Sequence, residues 1–82
     1  MKIAADISLY PLNEDFIPPI DDVIERLNQH PAITVRTNPM STQVVGEYAD
    51  VMAALESEVR VTFERNDKSV FVIKLLNDPV AG

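Results

Sequence analysis

The side chains of this sequence that suit chemistry are the hydroxyls of Ser8, Ser41 and Thr42, the phenol of Tyr10, the amide of Asn38 and the carboxylates of Asp6 and Glu47. Hydroxyls, an amide and a phenol donate and accept hydrogen bonds in fixed directions, so a cluster of them can orient a small polar heterocycle. They are not a catalytic set. His30 is the only histidine and precedes Pro31, and there is no cysteine, so no nucleophile–base pair can be drawn. The only glycines are Gly46 and Gly82, which leaves no glycine-rich loop to cradle phosphate. Pro11-Leu12-Asn13-Glu14 likewise lacks the glycines of an anion-binding loop. No metal-ligand spacing appears, and neither metal nor cofactor is called for. These residues imply a binding domain rather than an enzyme.

Each candidate also has a structural use. Ser41 and Thr42 can satisfy backbone groups beside the turn at Asn38-Pro39-Met40. Tyr10 suits a rim or interface, where one end of the ring is dry and the other wet. Glu47 suits the N-terminus of a following helix, and Asp6 can pair with Lys2 or Lys74. His30 at a helix C-terminus carries its charge where the dipole favours it.

The elements that position these groups follow from periodicity. Residues 3–10 alternate, with Ile3, Ala5, Ile7 and Leu9 on one face and Ala4, Asp6, Ser8 and Tyr10 on the other, and Pro11 ends the strand. Asn13, Glu14 and Asp15 form a polar loop. Pro18-Pro19 opens a helix with Asp21 and Asp22 following in its first turn; Ile20, Val23, Ile24 and Leu27 form its apolar side, and His30-Pro31 stops it. Strands are expected over 33–37 and 41–45, with Gly46 marking a bulge or a close backbone approach. From Tyr48 the period becomes helical: Val51, Met52, Leu55, Val59 and Phe63 make the apolar stripe, and Glu56 with Arg60 an exposed pair. Asn66-Asp67-Lys68 turns the chain with a geometry that can be left-handed. Residues 69–76 form a last strand that is apolar on both faces, with Phe71, Ile73 and Leu75 on one and Val70, Val72 and Leu76 flanking Lys74 on the other.

The order is βαββαβ, an α+β ferredoxin-like sandwich with the antiparallel sheet order 4-1-3-2 and both helices on one face. That topology gathers Ser8 and Tyr10, Thr37 and Asn38, Ser41 and Thr42 and the start of the first helix at one edge of the sheet. It leaves Asp6 near mid-sheet and Glu47 at the opposite edge. The open sheet face and the two-sided last strand call for a cover, most simply a second subunit, giving a dimer or a tetramer.

Eighty-two residues make one domain, spanning 1–82, with a single two-layer core. Thirteen acidic residues against seven basic ones give a net charge of −6, which disfavours nucleic acid and anionic membrane surfaces and favours a neutral or cationic ligand. No apolar stretch reaches the ~18 residues of a membrane span, and Asp6 stands where a signal peptide needs an apolar core, so a cytoplasmic location is expected.

The combination of Tyr10-Pro11-Leu12, Ile17-Pro18-Pro19-Ile20, Met40-Ser41-Thr42 and Gly46-Glu47-Tyr48 resembles the thiamine-binding protein family, a group of YkoF-like, ferredoxin-like domains, over about residues 2–77. The strand-three pattern from Met40 to Glu47 is the most specific part of the match. The resemblance implies binding of thiamine or its hydroxymethylpyrimidine moiety, for transport or salvage without catalysis, and pairing of sheets into dimers or dimers of dimers. It places the family motif on Ser41, Thr42, Gly46 and Glu47. Thiamine carries a cationic thiazolium, which suits an acidic domain, and an aminopyrimidine that hydroxyls, amides and a carboxylate can hold. The alternative is a ferredoxin-like regulatory or adaptor domain that takes another small ligand, or a protein partner, through the same surface.

Overall fold

Alternation of apolar and polar side chains makes the first strand two-faced, and the fold is built outward from it. A computed structural model describes residues 1–12 and 17–77. The elements are β1 (Lys2–Pro11), α1 (Ile17–Leu27), β2 (Thr34–Thr37), β3 (Thr42–Glu47), α2 (Tyr48–Arg65) and β4 (Ser69–Asn77). The four strands form one antiparallel sheet in the order β2-β3-β1-β4, the expected 4-1-3-2 order read from the other side. β1 pairs with β3 from Lys2↔Glu47 to Ile7↔Thr42, and with β4 from Ile3↔Asn77 to Pro11↔Ser69. β2 pairs with β3 from Thr34↔Val45 to Thr37↔Thr42.

Ile3, Ala5, Ile7 and Leu9 of β1 are buried on the helix side of the sheet, together with Val44 of β3. Val23 and Leu27 of α1 and Val51 and Leu55 of α2 close over them. Residues in register share a face of the sheet, so Ala4, Asp6, Ser8 and Tyr10 lie on the opposite face, beside Leu76, Lys74, Val72 and Val70 of β4. Gly46 makes no bulge. It pairs with Ile3, and a Cβ there would lie 3.2 Å from the Ala32 carbonyl oxygen and 3.3 Å from Ile33 Cγ2. The loop after α1 crosses β3 at that point, and the absence of a side chain lets it approach without crowding.

Several boundaries move from their sequence expectation. β1 continues through Pro11, which still pairs with Ser69, and β2 begins at Thr34. β3 runs on through Gly46 to Glu47. α1 begins one residue before the two prolines, so Asp21 and Asp22 fall beyond its first turn, and it ends at Leu27. Three backbone bonds then wind the chain down, with Asn28, Gln29 and His30 donating to Ile24, Arg26 and Leu27. The expected polar loop at Asn13, Glu14 and Asp15 lies outside the described residues. Asn66, which ends α2, is extended rather than left-handed, with φ −124° and ψ 160°.

The buried side of α2 departs from an apolar stripe. It runs Val51, Ala54, Leu55, Glu58 and Thr62, while Phe63 is about half exposed and meets Phe71 edge-on at 5.7 Å between ring centroids. Glu58 is buried because α1 and the turn that follows it supply its partners. Arg26 Nε donates to Glu58 Oε1 at 2.6 Å, and His30 Nε2 lies 2.6 Å from Glu58 Oε2. Arg26 also donates to Thr62 Oγ1 at 2.8 Å and to Asp22. A buried carboxylate is tolerable only with such a full set of partners. The expected Glu56–Arg60 pair is not among the ion pairs of the described residues.

β4 is an edge strand, and the helix layer stops short of it. Leu75 is 53% exposed although it faces the helix side, and Leu76 is 57% exposed on the open side. Among the described residues no helix is long and apolar enough to cross a membrane.

Candidate ligand-binding site

A ten-residue β1 beside a six-residue β3 leaves the C-terminal end of β1 without a neighbour on one side. The gap is the candidate site. β1 forms its floor, α1 forms one wall through Ile20, Val23 and Ile24, and the turn between β2 and β3 forms the other. The cavity has a volume of about 380 Å³, near the small end of the ~300–1,000 Å³ common for ligand pockets.

The turn is rigid because Asn38 organises it. Asn38 Oδ1 accepts the backbone N–H groups of Met40 at 2.7 Å and Ser41 at 3.0 Å, and Asn38 N–H donates to the Ser41 carbonyl at 3.0 Å. This Asx turn leaves the amide oxygen of Asn38 engaged with its own backbone, so only its NH₂ remains for anything in the cavity.

Ser8, Tyr10, Asn38, Ser41 and Thr42 all line this cavity. Tyr10 is 54% exposed and sits at its rim. Thr42 is buried, its Oγ1 3.4 Å from that of Thr37, a long contact that leaves the hydroxyl free to turn toward another partner. Asp6 does not line the cavity but reaches it through one side chain: the Ser41 hydroxyl donates to Asp6 Oδ1 at 2.6 Å. The proton of Ser41 is therefore engaged, and its lone pairs are what it can offer a ligand. Glu47 stands apart at the other end of β3, where its carboxylate lies 3.1 Å from the Met1 amino group. His30 belongs to the contact between the helices and not to the cavity.

Sequence reasoning placed the polar groups at this edge but expected the start of α1 there. Its middle turns supply the wall instead, through Ile20, Val23 and Ile24. The signal was present in the helical spacing of those residues, two of which reach past the covered part of the core. Among the described residues no group of His, Cys, Asp and Glu could hold a metal ion.

Solved structures share the whole frame. A crystal structure of a Streptococcus pneumoniae protein superposes with a TM-score of 0.88 at 24% identity, covering 98% of this chain and 90% of that one. A proposed thiamine biosynthesis/salvage protein from Thermotoga maritima does so with a TM-score of 0.81 at 22% identity, over 92% of this chain and 82% of that one. A hypothetical protein from Methanocaldococcus jannascii gives a TM-score of 0.82 at 20% identity, over 99% of this chain and 84% of that one. At such identities the likeness establishes the ferredoxin-like fold alone. No curated protein matches the sequence. The family model described as "Thiamine-binding protein" matches residues 5–79, from within β1 through the whole of β4, and ties the cavity's frame to small-molecule binding at the level of the family. The chain belongs to the thiamine-binding protein family.

Proposed function

We propose that this protein binds thiamine, or its hydroxymethylpyrimidine moiety, in the cavity between β1, α1 and the β2–β3 turn, and holds it without catalysing a reaction. The observation that carries the reading is the make-up of that cavity: apolar walls from Ile20, Val23 and Ile24 beside a sheet edge lined by Ser8, Ser41 and Thr42. Apolar walls accept the faces of an aromatic ring, and a few convergent polar groups fix its edges. The net charge of −6 and the Asp6 carboxylate behind Ser41 suit the cationic thiazolium. Ser8, Tyr10, Ser41 and Thr42 are the side chains assigned to the ligand, Asn38 shapes the turn, and Asp6 positions Ser41. Glu47, from its place beside Met1, takes part only if a second chain brings it to a ligand.

The same reading includes self-association through the open sheet face, as a dimer or a tetramer. Val70 and Val72 are 44% and 45% exposed there, and one apolar sheet face against another is the simplest cover. A second reading, an adaptor domain for another small ligand or a protein, draws on the apolar groove that Met52, Val59, Ile73 and Leu75 form between α2 and β4.

A thermal-shift titration with thiamine, its phosphates, hydroxymethylpyrimidine and unrelated heterocycles tests the first reading. A dose-dependent rise confined to the pyrimidine-containing compounds is the expected result, since a ligand that binds only the native state raises its stability. No shift from any of them well above micromolar concentration moves the assignment to the adaptor reading.

A further inference from the structure

A strand presents its backbone N–H and C=O to the left and right by alternate residues, so a single bond on each side fixes the parity of the whole strand. Tyr48 N–H donates to the Met1 carbonyl at 2.8 Å, and the unbroken register from Lys2↔Glu47 to Ile7↔Thr42 carries that parity along β1. Ile3, Ala5 and Ile7 therefore direct their backbone groups toward β3. Leu12 N–H donates to the Lys68 carbonyl at 3.0 Å on the other side, which gives the even-numbered residues to β4. The two observations agree.

Leu9 is the next odd-numbered residue, and β3 has ended before it. The residue that would stand opposite is Met40, which lies in the turn with its own N–H held by Asn38 Oδ1 at 2.7 Å. Among the described residues neither the N–H nor the C=O of Leu9 has a hydrogen-bond partner in that direction, and Leu9 lines the cavity. Its side chain is buried on the helix face, so this peptide edge is held rigidly from below and by the β4 ladder on its far side. Backbone groups are obligate hydrogen bonders, and a donor and acceptor left together at the floor of a cavity are a recognition element.

We propose that the peptide edge of Leu9 reads the ring edge of the ligand, with its N–H donating to a ring nitrogen and its C=O accepting from the amino group on the adjacent carbon. This deepens, and rests on, the assignment of the cavity to a small aromatic ligand. The N–H and C=O of one extended residue point the same way, and their complement is a planar group with an acceptor and a donor on neighbouring positions. The amidine edge of a 4-aminopyrimidine is such a group. Side-chain hydroxyls rotate and can accommodate many ligands; the Leu9 peptide cannot rotate, so it sets which edge enters.

The test uses the full chain labelled uniformly with ¹⁵N. In the free protein the Leu9 amide is expected to exchange with solvent much faster than those of Ala5 and Ile7; protection equal to theirs overturns the parity argument. Addition of 4-amino-5-hydroxymethyl-2-methylpyrimidine should then move the Leu9 amide proton downfield and slow its exchange. Replacing the Leu9 N–H by an ester oxygen, through incorporation of the corresponding α-hydroxy acid, keeps the side chain and the β4 ladder. It should weaken binding about tenfold, the usual worth of one hydrogen bond. The 4-dimethylamino analogue, which lacks the donor, should lose a similar factor on the unmodified protein. Binding of the pyrimidine at unchanged affinity to the ester variant, with the Leu9 resonance unmoved, overturns the role of Leu9 and leaves the cavity assignment standing. No binding to the unmodified protein overturns the ligand class itself.

Discussion

Ser41 and Asp6 lie 35 positions apart in the chain and are joined by a 2.6 Å hydrogen bond, in which the hydroxyl donates to the carboxylate across the end of β3. This bond ties the turn that walls the cavity to the middle of the sheet. Asp6→Ala removes the acceptor and lets Ser41 rotate; affinity for the pyrimidine ligand should fall by about 1.5 kcal/mol, the scale of a hydrogen bond to a charged group. Asp6→Asn keeps an acceptor and should restore most of it. Isothermal calorimetry on both variants makes the comparison, and equal affinity for Asp6→Ala and the parent chain argues against the positioning role.

Thr42 offers a buried hydroxyl whose one hydrogen-bond neighbour among the described residues is Thr37 at 3.4 Å. Thr42→Val keeps its shape and removes the hydroxyl. A loss of about 1–3 kcal/mol in ligand affinity, with little change in stability, is expected if the hydroxyl meets a buried polar group of the ligand. Unchanged calorimetric affinity removes Thr42 from the site.

Glu58 holds the two helices together through Arg26 and His30. Glu58→Ala leaves the Arg26 guanidinium, only 14% exposed, with Asp22 as its one carboxylate among the described residues and should lower stability by about 2–3 kcal/mol in urea unfolding. Replacing both partners with apolar residues, Arg26→Met with Glu58→Leu, should cost less than the single change, because it removes the half-satisfied buried charge and Asp22 keeps Arg65. Additive losses from the two positions would contradict that account.

Val72 lies on the open sheet face in register with Ser8. Val72→Glu adds a charge to the surface assigned to self-association and should yield a smaller species by analytical ultracentrifugation. Sedimentation identical to the parent chain would place the contact elsewhere.

Gly46→Ala puts a methyl group 3.2 Å from a backbone carbonyl oxygen and 3.4 Å from Val51 Cγ2. Neither neighbour is the flexible end of a long side chain. A loss of about 1–3 kcal/mol in thermal or urea unfolding is expected from such overpacking.

The strand and helix order was readable because β1 alternates cleanly and Pro18-Pro19 marks a helix start, and a glycine inside a strand marked Gly46 as special without deciding between a bulge and the close approach that is found. The far half of α2 was not. Apolar periodicity assumes that polar residues face water and so turns Phe63 inward, whereas Glu58 and Thr62 are the residues that point in. Their burial depends on Arg26, which lies 32 positions from Glu58 and on another helix, where no local pattern reaches it. The polar cluster at the cavity was legible from topology. The working part of Asn38 was not, because its residue type says nothing about whether its oxygen serves a ligand or its own turn. The gap above Leu9 escaped notice for a related reason: it arises from a mismatch of two strand lengths, and strand ends are where periodicity says least.

α1 is held in two different ways along its length. Asp22 and Arg26, with His30 just beyond the helix end, clamp it to α2 by directional contacts, while Ile20 and Ile24, interleaved with them, line the cavity with apolar surface alone. Directional bonds fix where a helix lies; apolar surface fixes only what it will tolerate. The two jobs fall on different residues, so the wall can be recut by substitution at Ile20 or Ile24 without loosening the polar contacts that aim it. A frame of this kind can change its specificity by single steps, and a set of relatives built on it would be expected to share a scaffold more closely than a ligand.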